Sequence, residues 1–273
     1  MNSNNLKINR MGDLCYITFP RLEACKAVRH TFSTRLGGVS SGQFATMNTS
    51  FLGGDDFCAV EENYRRLCGA VGIEISHLVL SRQTHTNNVR IVTKSDCGTG
   101  YTKPSFNDVD GLITNESGVA LVTQYADCTP LLFCDPVKRV CATSHAGWRG
   151  TVSQIGKVTV EKMINEFGCN PSDIIAAIGP CICQNCYEVD TPVFDAFVES
   201  GIDITNVFRE GKDENHFMLN LVNANKNILI SAGIKEENID VSDICTCCNS
   251  DKLHSHRATG GKRGNLAAII ELI

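Results

Sequence analysis

The sequence predicts a mixed α/β chain, with strands in groups and helices outside them. Three observations carry this. Apolar runs of strand length recur and end in turn residues. One amphipathic helical stretch, 151–167, directly follows such a run. No tandem repeat, low-complexity tract or Pro/Ser-rich linker divides the 273 residues, so one domain with a real core is favoured over two small ones.

The elements follow in order. HLVLSRQTH (77–85) is a short apolar run ending in polar residues. GVALVTQYADCTPLLFCDP (118–136) holds a strand-like ALVTQYA that leads to Asp127-Cys128-Thr129-Pro130. RVCATSHAG (139–147) reads as a buried strand, rich in β-branched and small residues. From Thr151 to Phe167 the pattern is helical, with Val152, Ile155, Thr159, Met163 and Phe167 near one face. Gly168 stops it, with Pro171 shortly beyond. DIIAAIGP (173–180) is a further strand, helices follow around 190–200 and 219–232, and IDVSDICT and LAAIIELI close as strands. Two polar stretches, 94–111 and 208–216, read as mobile loops.

Composition narrows the class. Hydrophobic residues are 42% and charged residues 20%, ordinary for a globular enzyme and too apolar for a disordered chain. A net charge of −5 leaves no electrostatic footprint for nucleic acid or an anionic membrane, so any anion site must be local. The opening MNSNNLKINRMGDLCY lacks an apolar signal core, and no run approaches membrane-spanning length. Fifteen cysteines, an odd number, then read as reduced thiols in a cytoplasmic protein, some of them candidate metal ligands.

His85, Cys128 and His145 share one setting: each falls where an apolar run gives way to a turn. Strand ends at one sheet edge are where open α/β folds collect functional groups. Two imidazoles and one thiolate suit zinc and leave a fourth position open for activating water. A plainer reading stands beside this one, since a buried cysteine is usually a small hydrophobe and a lone histidine a hydrogen-bonded structural residue.

SHAGWRGT (144–151) adds an anion fork and an aromatic wall. A helix beginning near Thr151 offers free N–H groups, with Arg149 just ahead of them. Trp148, the single tryptophan, is either a stacking wall for a planar ring or a core plug. Arg35 stands ahead of Gly37-Gly38, and Arg257, Lys262 and Arg263 surround a Gly-Gly turn; neither stretch is a Walker A loop. Cys183-x-x-Cys186 with Cys245-x-x-Cys248 has the spacing of a four-thiolate zinc site. Unligated thiols lining a buried sheet edge are preferred here, because paired knuckles usually carry more glycine and basic residues nearby.

The segments TRLGGVSSGQFATMNTSFLGGDD, RQTHTNNV, DVDGLIT, ADCTPLLFCDP, SHAGWRGT, AIGPCICQNCYEV, LNLVNANKNIL and CTCCNSDKLHSHR occur in that order. Together they resemble the laccase-domain (polyphenol oxidase, YfiH-type) family, from about residue 28 to the C-terminus. The resemblance implies an α+β fold: a single-domain four-layer sandwich of two mixed β-sheets flanked by helices. It implies zinc held by His85, Cys128 and His145. It also implies phosphorolysis of adenosine, inosine, guanosine and methylthioadenosine, and hydrolytic deamination of adenosine. The partners are then purine nucleosides and phosphate, with no nucleic acid or membrane, and the chain a monomer or homodimer. Two departures from the family pattern are Thr86 after the motif histidine and Arg263-Gly264-Asn265 near the C-terminus.

In this reading Arg149 and Arg35, with Arg257 behind them, orient phosphate toward C1′ of the ribose. Asp127 or Glu188 is a candidate proton carrier, with a structural carboxylate near the site the preferred reading of both. Two other enzymes use the same residues. A copper-dependent polyphenol oxidase fits the donors of the triad, although seven histidines with one His-x-His pair, His254 and His256, cannot build a multicopper cluster. A cysteine hydrolase would take Cys128 as nucleophile and His145 or His85 as base. A metal-dependent partner protein is the reading outside enzymology.

Overall fold

Strands buried on both faces dominate the centre of the molecule, and they explain the apolar runs of the sequence. In the computed structural model, which describes residues 3–273, Thr129–Asp135, Val140–Ala146 and Leu266–Leu272 are buried at every position. Such strands show no polar alternation, because neither face meets water.

A seven-stranded sheet runs in the order Lys7–Met11, Leu14–Thr18, Val28–Ser33, Leu266–Leu272, Ala120–Tyr125, Leu78–Arg82, Phe106–Asn107. A six-stranded sheet runs Ile239–Val241, Ile175–Ile178, Thr129–Asp135, Val140–Ala146, Gly111–Thr114, Val89–Ile91. Both mix parallel and antiparallel pairs. Their inner faces close on one apolar core that includes Phe32, Leu121, Leu132 and Ile270. Outside the first sheet lies helix Phe57–Val71, with Tyr64 and Leu67 packed on Leu78 and Val122. Outside the second lie Ile155–Phe167 and Leu221–Ser231, with Met163 and Leu229 packed against Phe133 and Ile178. The fold is therefore mixed α+β, and a third sheet of three strands, Glu188–Asp190, His216–Leu219 and Phe208–Glu210, stands beside the two expected.

Several elements depart from the sequence expectation. The helix over 151–167 is two helices, Trp148–Val152 and Ile155–Phe167. Gln154 between them is left-handed at φ 53°, and the Ser153 carbonyl accepts from Asn87 Nδ2 at 2.9 Å instead of from the next turn. The stretch 208–216 is not free: Phe208–Glu210 pairs with His216–Leu219, and Glu188–Asp190 adds a third strand. The stretch 94–111 is bonded to the first sheet through Gly98 N to Leu78 O (2.8 Å) and the parallel strand Phe106–Asn107. IDVSDICT is a strand only over Ile239–Val241, after which the chain turns toward a bridge between Cys181 and Cys245. Thr129–Asp135, the three N-terminal strands, Val89–Ile91, Gly111–Thr114 and helix Phe57–Val71 come in addition to the elements expected from the sequence.

Candidate active site

Three chain crossings meet at one end of the two sheets. His85 lies in the loop after Leu78–Arg82, Cys128 in the turn from Ala120–Tyr125 to Thr129–Asp135, and His145 near the end of Val140–Ala146. That turn passes from one sheet to the other, so residues distant along the chain converge there. The ligand atoms of His85, Cys128 and His145 all lie within 4.8 Å of one another. The two imidazole rings stand edge to face at 4.8 Å.

Asp110 organises the cluster. It is fully buried and accepts from the backbone N–H groups of Thr84 (3.1 Å), His85 (3.0 Å) and Thr86 (2.9 Å). The same carboxylate sits 2.8 Å from His145 Nδ1, which leaves the other ring nitrogen for a ligand. It thereby holds His85 in a left-handed conformation, φ 66°, that a histidine rarely adopts. Burial alone would raise the Asp110 carboxyl, but the bond and charge of His145 and the loop N–H groups bring it down to about 2.

The thiol and imidazole are poised as an ion pair. Burial pushes the Cys128 thiol up, yet His145 and His85 more than offset that and bring it to about 6. Burial pushes His145 down, while Cys128 and Asp110 hold it up at about 9. A metal ion would replace the shared proton on these ligands. Gly147 leaves room for that set: a Cβ there would lie 2.6 Å from His85 Nδ1 and 3.0 Å from Cys128 Sγ. Two nitrogens, one sulfur and a space kept clear of side chain fit a metal ion with an open position.

The cluster floors a cavity of about 600 Å³. Arg82, Arg149, Arg257 and Arg263 line it, against one carboxylate, Asp127. Both Asp127 oxygens are taken, by Thr246 Oγ1 (2.6 Å) and Arg257 N (2.7 Å), and four guanidiniums against that one carboxylate leave the walls net positive. Trp148 and Tyr187 supply the aromatic surface. Arg149 lies over the Trp148 ring at 4.2 Å and Arg257 over the Tyr187 ring at 5.2 Å. Burial lowers the Arg263 guanidinium from its usual range, and its Nε is buried without a partner.

The structure thus brings together His85, Cys128, His145, Trp148, Arg149, Arg257 and Asp127. It does not bring Arg35 to the cavity: that guanidinium bonds the carbonyls of Ala45 (2.8 Å) and Ser250 (2.7 Å) and clips two loops. Glu188 also lies outside the lining, bonded to Lys212 at 3.2 Å, which removes it as a proton carrier at this site. The helix expected from Thr151 begins at Trp148, so Arg149 is inside its first turn rather than ahead of it. Arg82, Tyr187 and His256 join the lining without a signal of their own in the sequence, Arg263 with only a weak one, and Asp110 lies buried behind His145. Asp110 had a signal in DVDG, an acidic pair abutting a buried strand. Away from the cavity floor, the sulfurs of Cys183, Cys186, Cys245 and Cys248 come within 4.8 Å of one another.

Two stacked mixed sheets with a His–Cys–His donor set at their ends, beneath an arginine-walled cavity, define a class of metal-capable α+β protein. The chain belongs to the family described as multi-copper polyphenol oxidoreductase laccase, whose model matches residues 29–273. It is 36% identical over 247 residues to purine nucleoside phosphorylase YlmD of Bacillus subtilis (strain 168), covering 90% of this chain and 88% of that protein. It is 31% identical over 253 residues to adenosine deaminase RL5 of an unknown prokaryotic organism, covering 91% of this chain and 96% of that one. The fold matches the crystal structure of Bacillus licheniformis hypothetical protein YfiH with a TM-score of 0.92 and 30% identity, over 99% of this chain and 100% of that one.

Proposed function

We propose that this chain is a zinc-dependent purine nucleoside enzyme, which cleaves adenosine, inosine, guanosine and methylthioadenosine with phosphate and deaminates adenosine. The observation that carries the reading is the placement of the His–Cys–His donors on the floor of a cavity walled by four arginines. The names of the relatives point to the same chemistry.

His85, Cys128 and His145 would hold the ion, and when bound it supplies a Lewis acid that activates water for deamination. The remaining work belongs to the chain. Arg149, Arg257 and Arg263 bind phosphate and orient it toward the electron-poor C1′ of the ribose, from which the purine leaves. Trp148 and Tyr187 offer planar faces to the purine. Asp110 fixes the tautomer of His145 and the pose of the His85 loop. A laccase-type copper cluster finds no support in the donors. Among the described residues only two groups bring three or more candidate ligands together, and His254 and His256 belong to neither.

Purified protein incubated with adenosine, with and without phosphate, tests the reading by product separation. Adenine is expected to form only with phosphate, and inosine in its presence or absence. Formation of neither overturns the reading.

The lowered Cys128 thiol beside His145 favours a second reading, a cysteine hydrolase. Iodoacetamide separates the two. If Cys128 is a metal ligand, zinc shields it and preserves activity; if it is the nucleophile, zinc inhibits.

A further inference from the structure

We propose that Cys183, Cys186, Cys245 and Cys248 form a second, structural metal site that takes zinc as four thiolates and staples loop 181–186 to loop 245–248. All four sulfurs lie within 4.8 Å of one another. Cys248 Sγ is 3.9 Å from Cys183 Sγ and 3.4 Å from Cys186 Sγ. These values bracket the roughly 3.8 Å edge of a tetrahedron whose zinc–sulfur bonds are about 2.3 Å. All four are free cysteines, and each pair sits on one tight turn, as a Cys-x-x-Cys knuckle requires.

The backbone is arranged for anionic sulfur. Cys183 N and Cys248 N both donate to Cys245 Sγ, at 3.2 and 3.3 Å. N–H groups aimed at sulfur offset the charge that a thiolate carries. Four protein ligands close the coordination sphere, which distinguishes a structural ion from a catalytic one. Binding exchanges the thiol protons for the ion and releases them to solvent, with no change of oxidation state. The reading of unligated thiols on a buried sheet edge suits Cys181 instead, which is buried and stands outside the group.

The staple sits behind the cavity wall. Thr246, inside the second knuckle, donates through Oγ1 to Asp127 Oδ1 at 2.6 Å and through its N–H to Cys181 O at 3.0 Å. Ile182 N donates to Asp127 O at 3.0 Å, and Cys186 O accepts from Arg257 at 3.0 Å. An ion joining the two knuckles therefore fixes the residue preceding Cys128 and the backing of Arg257. The cysteine site stands apart from the nucleoside reading, and the experiment below separates them.

Zinc per chain is measured on wild-type, His145→Ala, Cys183→Ser and Cys248→Ser proteins purified under reducing conditions. Each cysteine variant is expected to lose about one equivalent relative to wild type, while His145→Ala keeps the cysteine-bound one. Zinc-edge X-ray absorption on His145→Ala, which needs no cysteine variant to fold, is expected to show four sulfur neighbours at about 2.3 Å. Nitrogen neighbours there, zinc content unchanged by Cys183→Ser and Cys248→Ser, or a disulfide among the four cysteines in the reduced protein would each overturn the proposal.

Discussion

Asp110 orders the site through bonds that the sequence shows only as an acidic pair beside a buried strand. Its carboxylate binds a loop 24 to 26 residues earlier in the chain, and no periodicity or spacing reveals bonds of that kind. Asp110→Asn keeps the shape and removes the charge; zinc affinity is expected to fall roughly 10–100-fold. Competition with a chelator measures this, with circular dichroism to check the fold. Gly147→Ala places a methyl against His85 Nδ1 and Cys128 Sγ, so the folded variant is expected to lose bound zinc and phosphorolysis together. Metal analysis of that variant beside its rate decides it. His85, Cys128 and His145, which the structure brings together, were marked only in part by where apolar runs stop; the family resemblance singled them out. Arg149 and Arg257 line the cavity as expected, but Arg35 and Arg263 were not legible, since a Gly-rich turn does not say which way a guanidinium points. Arg35 turned to Ala45 and Ser250, and Arg263 turned to the cavity.

At the scale of elements, stop signals read well and interruptions did not. Gly168 ends its helix in the left-handed region at φ 65°, as the sequence indicated. The break at Gln154 depends on Asn87, far away in sequence, and a helical pattern runs through it unmarked. The hairpin at 208–219 was hidden by its charged turn, although Phe208 and Phe217 pack with Phe194 beneath it. Helix Phe57–Val71 is started by Asp56, whose side chain accepts from Ala59 N at 2.8 Å. Asp56→Ala is expected to cost about 1 kcal/mol of stability in urea titration, with nucleoside cleavage unchanged.

The whole molecule depends on two sheets closing over one core, and that core carries histidines in neutral form. His30 accepts from Phe19 N at 2.9 Å, and burial holds it near 4 despite the opposing charge of Glu23. Burial, with Arg35 and Arg263 nearby, holds His254 near 3. Both lie below the unfolded value of about 6.5, so the stability they contribute is complete above that pH. It is lost progressively as pH falls from about 6.5 toward the folded values. Denaturant titrations are therefore expected to show stability falling between about pH 7 and pH 5, with His30 contributing on the order of 2 kcal/mol of the loss. His30→Gln, which keeps an acceptor for Phe19 N, is expected to flatten that slope. The stacking of sheets was not legible from strand patterns alone, because a strand buried on both faces looks the same in any layered fold. The family resemblance supplied the α+β class with mixed sheets.

The account's central claim is that the His–Cys–His cluster, once it holds zinc, carries the nucleoside chemistry. Inosine phosphorolysis by wild-type and His145→Ala proteins, each stripped with a chelator and then given zinc back, tests it most directly. The account expects zinc to restore the wild-type rate and to leave the variant inactive. A variant that cleaves inosine at the wild-type rate, or a stripped wild-type protein that does, contradicts it.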